Sequence, residues 1–255
     1  MTTQWTEQKP EPGRSGQPGV PLLVTRPLEH AEGFGRTVED RFGSRIAVVQ
    51  SPLMRTDFPP IDLPKGPHAA VIFTSIIGVA AVASLAHTLP KRAICVGKAT
   101  AARARVAGFD AVSADGASEE VIGYLVSQNA GGKLLHLRGA VVRGDLAGRL
   151  TSQGIPTDEA VVYRQFDLPL SEAAQGVLRQ KGPVIVPLFS PRSARLFQAQ
   201  LPQTISADLH LVVISEAAAM ASAGVPARQI HVAARPDGES LLDAVGDLLD
   251  LIAPP

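Results

Sequence analysis

The residues with the most chemical promise stand in one repeated setting, just past the end of an apolar run. FTSIIGV (73–79) places Thr74 and Ser75 there, and VGKATAA (96–102) places Gly97, Lys98, Thr100 and Ala101. VPLFSPRSA (186–194) contributes Ser190 and Ser193, and VVISEAA (212–218) contributes Ser215. VTRP (24–27) and LLHLRG (134–139) end in the same way on Arg26 and Arg138, with Arg192 and Arg235 in comparable turns. Hydroxyls, small residues and free N–H groups where a helix begins can hold anionic groups, with the arginines steering them. A serine or threonine at one such turn ordinarily only caps its helix. Repetition in both halves of the chain is what points to binding.

Other chemistries lack their residues. The histidines, at 30, 68, 87, 136, 210 and 231, have no metal-ligand spacing, so no metal site is expected. His136 and His210 fall in or beside apolar runs and read as packed, hydrogen-bonded groups. GFGRTV (33–38) lacks the third glycine of a dinucleotide fingerprint and does not directly follow a strand. GKAT (97–100) lacks the upstream glycine of a phosphate loop, and no Gly-x-Ser-x-Gly elbow occurs. The single cysteine, Cys95, excludes an internal disulfide and reads as a buried inert thiol in a reducing cytosol. Lysine plus arginine equals aspartate plus glutamate, 24 of each, so no global field favours nucleic acid or a membrane surface. No run approaches the roughly twenty apolar residues of a membrane span, and the start has no secretory pattern. A cytoplasmic location is expected.

The elements that must position these turns follow from the apolar pattern. LLVT (22–25), AAVIFT (69–74), AICV (93–96), KLLHL (133–137), PVIVPLF (183–189), HLVVI (210–214) and QIHVA (229–233) read as strands. Alanine-rich amphipathic segments lie between most of them. Near-continuous apolar strands alternating with helices predict parallel sheets covered on both faces. RIAVVQSPLMR (45–55) and AVVYRQFDLP (160–169) look extended but lack a following helix of the usual kind. Paired with each other, they predict two doubly wound α/β domains joined by a two-stranded β bridge. Residues 20–44 and 170–255 then form a discontinuous first domain, 56–158 an inserted second one, and 45–55 with 160–169 the bridge. Residues 1–19, rich in proline, glycine and polar side chains, read as a disordered extension. One sheet over the whole length is the competing arrangement.

The same turns carry a resemblance. VTRP, FTSIIGV, VGKATAARARVAGF, LLHLRGAVVRGDLAGRLTSQGI with VVYRQ, LFSPRSARLF and VVISEAA follow in the order seen in uroporphyrinogen-III synthases. Together they span nearly all of 22–235. Two positions depart from the family's habit: Ile77 stands where Asn is common, and Ala218 where Thr is frequent. The segment from Ser215 to Gly224 is also short for the family. The resemblance implies that the chain folds a linear tetrapyrrole polycarboxylate, hydroxymethylbilane, and closes it with its last ring inverted, through a spiro intermediate and loss of water. It implies a cofactor-free lyase in heme biosynthesis, with Tyr163 of VVYRQ as the matched residue able to act as an acid. Substrate contacts then fall to Arg26, Thr74, Ser75, Gly97, Lys98, Thr100, Ala101, Arg138, Ser190, Ser193 and Ser215. A monomer is expected that takes its substrate from the preceding pathway enzyme and binds no nucleic acid and no membrane. The alternative is a non-catalytic two-lobed binder of a small anionic ligand.

Overall fold

The computed structural model describes residues 19–116, 118–128, 131–141 and 144–254. Apart from Gly19, the extension expected over 1–19 lies outside them. The chain divides into two units, Met1–Leu53 with Pro169–Pro255, and Met54–Leu168. The first begins with β1 (Val20–Val24), α1 (Leu28–Phe42) and β2 (Ile46–Gln50). The inserted unit follows: β3 (Met54–Asp57), β4 (Ala70–Phe73), α2 (Ile76–Val82), β5 (Arg92–Cys95), α3 (Lys98–Val106), β6 (Asp110–Ser113), α4 (Ser118–Ser127), β7 (Leu134–Gly139), α5 (Leu146–Ser152) and β8 (Thr157–Asp167). The first unit is then completed by α6 (Glu172–Arg179), β9 (Gly182–Leu188), α7 (Pro191–Ala199), β10 (Ala207–Val213), α8 (Glu216–Ala221), β11 (Ala227–Val232) and α9 (Gly238–Ile252).

Each unit is a sheet that is parallel, apart from β3 at one edge of the second, with two buried faces, because its central strands carry apolar side chains on both sides. In β1, Leu22 and Val24 face the core shared with α1 and α9, while Leu23 faces the core of α6, α7 and α8. In β4, Val71 and Phe73 face α2 and α3, while Ala70 and Ile72 face α4 and α5. Phe73 is fully buried and meets Phe109 edge to face at 5.3 Å. That packing anchors the strand end from which Thr74 and Ser75 emerge. Truncating so buried a ring costs about 3–5 kcal/mol.

Strand order places the sites. The first unit runs β11-β10-β9-β1-β2 and the second β3-β8-β7-β4-β5-β6. The chain reverses its direction of winding between β1 and β9 in one sheet, and between β4 and β7 in the other. Crevices open at such switch points beyond the strand C-termini.

The pairing expected between 45–55 and 160–169 is present at its end, where Met54 lies opposite Asp167 and Arg55 opposite Phe166. Residues 45–55 form two strands, not one. β2 pairs parallel with β1 inside the first unit, and β3 pairs antiparallel with the end of β8 inside the second. The turn between them is tied down, since Ser51 N–H donates to the Val24 carbonyl and the Ser51 hydroxyl accepts from Ser171 N–H. Pro52 has no N–H with which to continue a ladder. β8 starts at Thr157 and serves twice, its first half parallel to β7 and its last residues antiparallel to β3. Counted with these paired strands, the inserted unit extends over Met54–Leu168.

Candidate active site

In the inserted unit the switch point is occupied by a cavity of about 290 Å³. Thr74 and Ser75 after β4, His136 and Gly139 of β7, and Glu159 and Tyr163 of β8 line it, with Val96, Gly116, Ser118 and Leu146 among the rest. Three neighbouring strands set its polar wall. Ile72 is in register with His136, and His136 with Glu159. Thr74 lies two residues beyond Ile72, so the alternation of a strand puts all three polar side chains on one face. His136 is buried; its Nδ1 lies 3.2 Å from Glu159 Oε1 and its Nε2 3.4 Å from Thr74 Oγ1. Burial draws the imidazole pKa below its usual value, opposed by the hydrogen bond and charge of Glu159. Arg138 Nε is 2.9 Å from the same Glu159 oxygen, but its N–H does not point at it, so the contact is an ion pair without a hydrogen bond. Arg138 Nη1 donates to the Gly139 carbonyl at 3.0 Å.

Tyr163 is seated by two glycines. A β-carbon on Gly139 would stand 2.6 Å from Tyr163 Cζ and 2.9 Å from its hydroxyl. One on Gly78 would meet the Leu137 carbonyl at 3.1 Å and Tyr163 Cε1 at 3.8 Å. The glycine of FTSIIGV thus lets α2 lie close on β7 and beside the phenol. Ser75 caps that helix, its hydroxyl accepting from Ile77 N–H at 3.1 Å.

The remaining predicted residues divide by role. Gly97 caps α3, and Lys98 opens it. The N–H groups of a first turn have no intrahelical partner. Thr100 is buried in that turn. Ala101 N–H donates to the Gly97 carbonyl, and its methyl is fully buried in the core. In the first unit, Ser190 and Ser193 form a reciprocal capping box, each hydroxyl accepting the other's N–H at 3.0 Å. Ser215 caps α8 through Ala218 N–H at 3.4 Å. Ala218 takes the same third helical position as Thr100 and is fully buried.

Arg26 stands at the first unit's own switch point. Thr25 Oγ1 donates to the Pro187 carbonyl at 3.0 Å, clamping the end of β1 to β9. The Arg26 guanidinium then lies 4.2 Å from the Phe189 ring centre and 5.5 Å from that of Phe34. Its Nε is buried without a hydrogen-bond partner among the described residues, and burial lowers its pKa. Guanidinium stays protonated nonetheless. Arg235 is paired with Asp237 at 3.1 Å. A larger cavity, about 1020 Å³, opens at the other end of this sheet around Gly19, Lys181 and Gly182. It lies at the strand N-termini, away from every predicted site residue.

His136 and Glu159 are the site residues that sequence reasoning missed. A polar residue inside LLHL, matched by one inside DEAV on the next strand, was the available signal, but only the register reveals that they meet. Cys95, with its pKa raised to about 11 by burial, is the inert thiol expected.

Two doubly wound α/β units, one inserted into the other, define the class of protein. The family model described as "Uroporphyrinogen-III synthase HemD" matches residues 44–243. This chain belongs to the uroporphyrinogen-III synthase family. Two solved structures are similar in fold. The uroporphyrinogen-III synthetase of Helicobacter pylori is 18% identical, with TM-score 0.58, over 90% of this chain and 99% of that one. A mutant uroporphyrinogen III synthase of Thermus thermophilus is 14% identical, with TM-score 0.54, over 90% and 97%. No curated protein matches this chain.

Proposed function

We propose that this protein closes hydroxymethylbilane to uroporphyrinogen III, inverting the terminal pyrrole ring through a spiro intermediate with loss of water. The observation that carries the reading is the family match over residues 44–243. The cavity at the β4/β7 switch point, lined by Tyr163, Thr74 and Ser75, suits it. The substrate leaves a hydroxyl from one end and forms a carbon–carbon bond at the other. A protein that folds it and steadies the positive charge of the departing end supplies most of what the reaction needs. The Tyr163 phenol assists departure of the hydroxyl or holds a substrate oxygen. Helix N-termini, each contributing about 0.3–1 kcal/mol toward a carboxylate, bind the side-chain acids, aided by Arg26 and Arg138.

The proposal includes a cofactor-free lyase acting as a cytoplasmic monomer that receives substrate from the preceding enzyme. Among the described residues, no group of three or more His, Cys, Asp or Glu could hold a metal ion, and no helix is long and apolar enough to cross a membrane. No observation favours the non-catalytic binder.

The test is to generate hydroxymethylbilane in situ, add chelated and dialysed protein, and resolve isomer I from isomer III. Isomer III is expected. Isomer I alone, at the uncatalysed rate, overturns the activity. Activity that returns only with an added metal or nucleotide overturns the cofactor claim alone.

A further inference from the structure

The row Thr74–His136–Glu159 has a direction that its donors and acceptors dictate. Taken as the carboxylate partner of Arg138, Glu159 accepts, and His136 Nδ1 then carries the proton of their contact. A neutral imidazole has one N–H, which leaves Nε2 as an acceptor. Thr74 Oγ1, 3.4 Å away, is then the donor of that contact. With its proton turned inward, the threonine hydroxyl has only lone pairs left for the cavity.

Resting on the proposed cyclisation, we propose that His136 is a positioning residue, fixing Thr74 as an acceptor that receives a pyrrole N–H of the substrate. The substrate's two kinds of polar group are opposite in sense. Pyrrole nitrogens donate, and carboxylates accept. An acceptor-only hydroxyl backed by Glu159 admits the ring and repels its acids, whereas helix N-termini do the reverse. The cavity, about 290 Å³, lies at the lower end of the range for small-molecule sites, in keeping with one substituted ring and not the whole chain. The imidazole is otherwise packed among apolar groups, since α4 and α5 turn Val121, Leu125 and Leu150 toward this face. Among the described residues, the charged or titratable groups that pair with it or share its cavity are Glu159, Arg138 and the Tyr163 phenol.

Nitrogen-15 NMR of the unmodified protein, with His136 assigned, reads the tautomer directly. The Nδ1–H form is expected at neutral pH. The Nε2–H form, or an imidazolium, overturns the arrangement. Kinetics then read the role: Thr74→Val and His136→Gln should each lower kcat/KM several-fold to about tenfold, the worth of one hydrogen bond. Their combination should be no worse than either alone, and Thr74→Ser should restore the rate. Additive losses, or failure of serine to rescue, overturn the positioning role even if the tautomer is as expected. If the unmodified protein makes no isomer III, the activity falls and the role with it, while the tautomer still judges the hydrogen-bond row.

Discussion

Gly139→Ala is the substitution whose consequence can be worked out most fully. The added β-carbon would sit 2.6 and 2.7 Å from Tyr163 Cζ and Cε2 and 2.9 Å from its hydroxyl, closer than unbonded atoms tolerate. β7 is held on both sides, by β4 and by β8, so the ring must yield before the strand does. The ring has little freedom, because Gly78 of α2 lies on its other edge. Overpacking of this kind costs about 1–3 kcal/mol. For a unit of this size the melting point should fall by on the order of 4 °C per kcal/mol. Turnover should fall at least as far as in Tyr163→Phe, since the phenol is displaced as well as crowded. The decisive measurement is a double-mutant cycle by urea denaturation. In a Tyr163→Ala background the β-carbon has room, so the penalty for Gly139→Ala should nearly vanish, leaving a coupling of about 1–3 kcal/mol. An equal penalty in both backgrounds would refute the claim that Gly139 is small for the sake of Tyr163.

Tyr163→Phe should lower turnover partially with little change in melting, because the substrate's hydroxyl also leaves unaided in water; unchanged kinetics would reduce the phenol to packing. Thr100→Pro should impair both binding and turnover by removing an N–H from the first turn of α3, while Thr100→Ala keeps that N–H and should be milder; equal effects would mean that the side chain matters and the turn does not. A fragment of residues 54–168 should fold alone, because every strand of its sheet lies within it; absence of cooperative unfolding in the isolated fragment would count against two independent units. Asp237, capping α9, is held below the ordinary carboxylate pKa by the Ser240 N–H and by Arg235. A depressed carboxyl stabilises the fold above its unfolded value and loses that contribution as pH falls through the folded one. The stability gap between the protein and Asp237→Asn should therefore hold steady above about pH 5 and close in more acidic solution; a gap that widens on acidification would contradict this.

Much of the architecture was legible because burial on both faces leaves an unmistakable mark. Runs such as AAVIF and PVIVPLF can only be interior strands of a covered sheet, and the hydroxyls after them can only fall at its C-terminal edge. Pairing was harder to read. Nothing local in RIAVVQSPLMR says that its first half joins β1 while its last residues turn to meet β8, because partner choice is a non-local property. The candidate site is legible in the sequence as a set of turns, of which Thr74 and Ser75 line one cavity together with Tyr163. Ala101 stands four positions past the cap Gly97, where its N–H already closes the helix's own first turn, a bond that the letters VGKATA do not display. His136 was read as packed and hydrogen-bonded, which it is, but its contact with Thr74 depends on strand register that the sequence does not display.

The capping pattern carries an evolutionary consequence. Ser75, Ser190, Ser193 and Ser215 direct their hydroxyls at backbone N–H groups of their own turns, so their role in these contacts is to shape the main chain. Any small residue that caps equally well preserves that shape. Selection then acts on the contour of the main chain and only weakly on the letters that produce it. Substitutions among small capping side chains would then leave that contour, and whatever rests on it, largely unchanged.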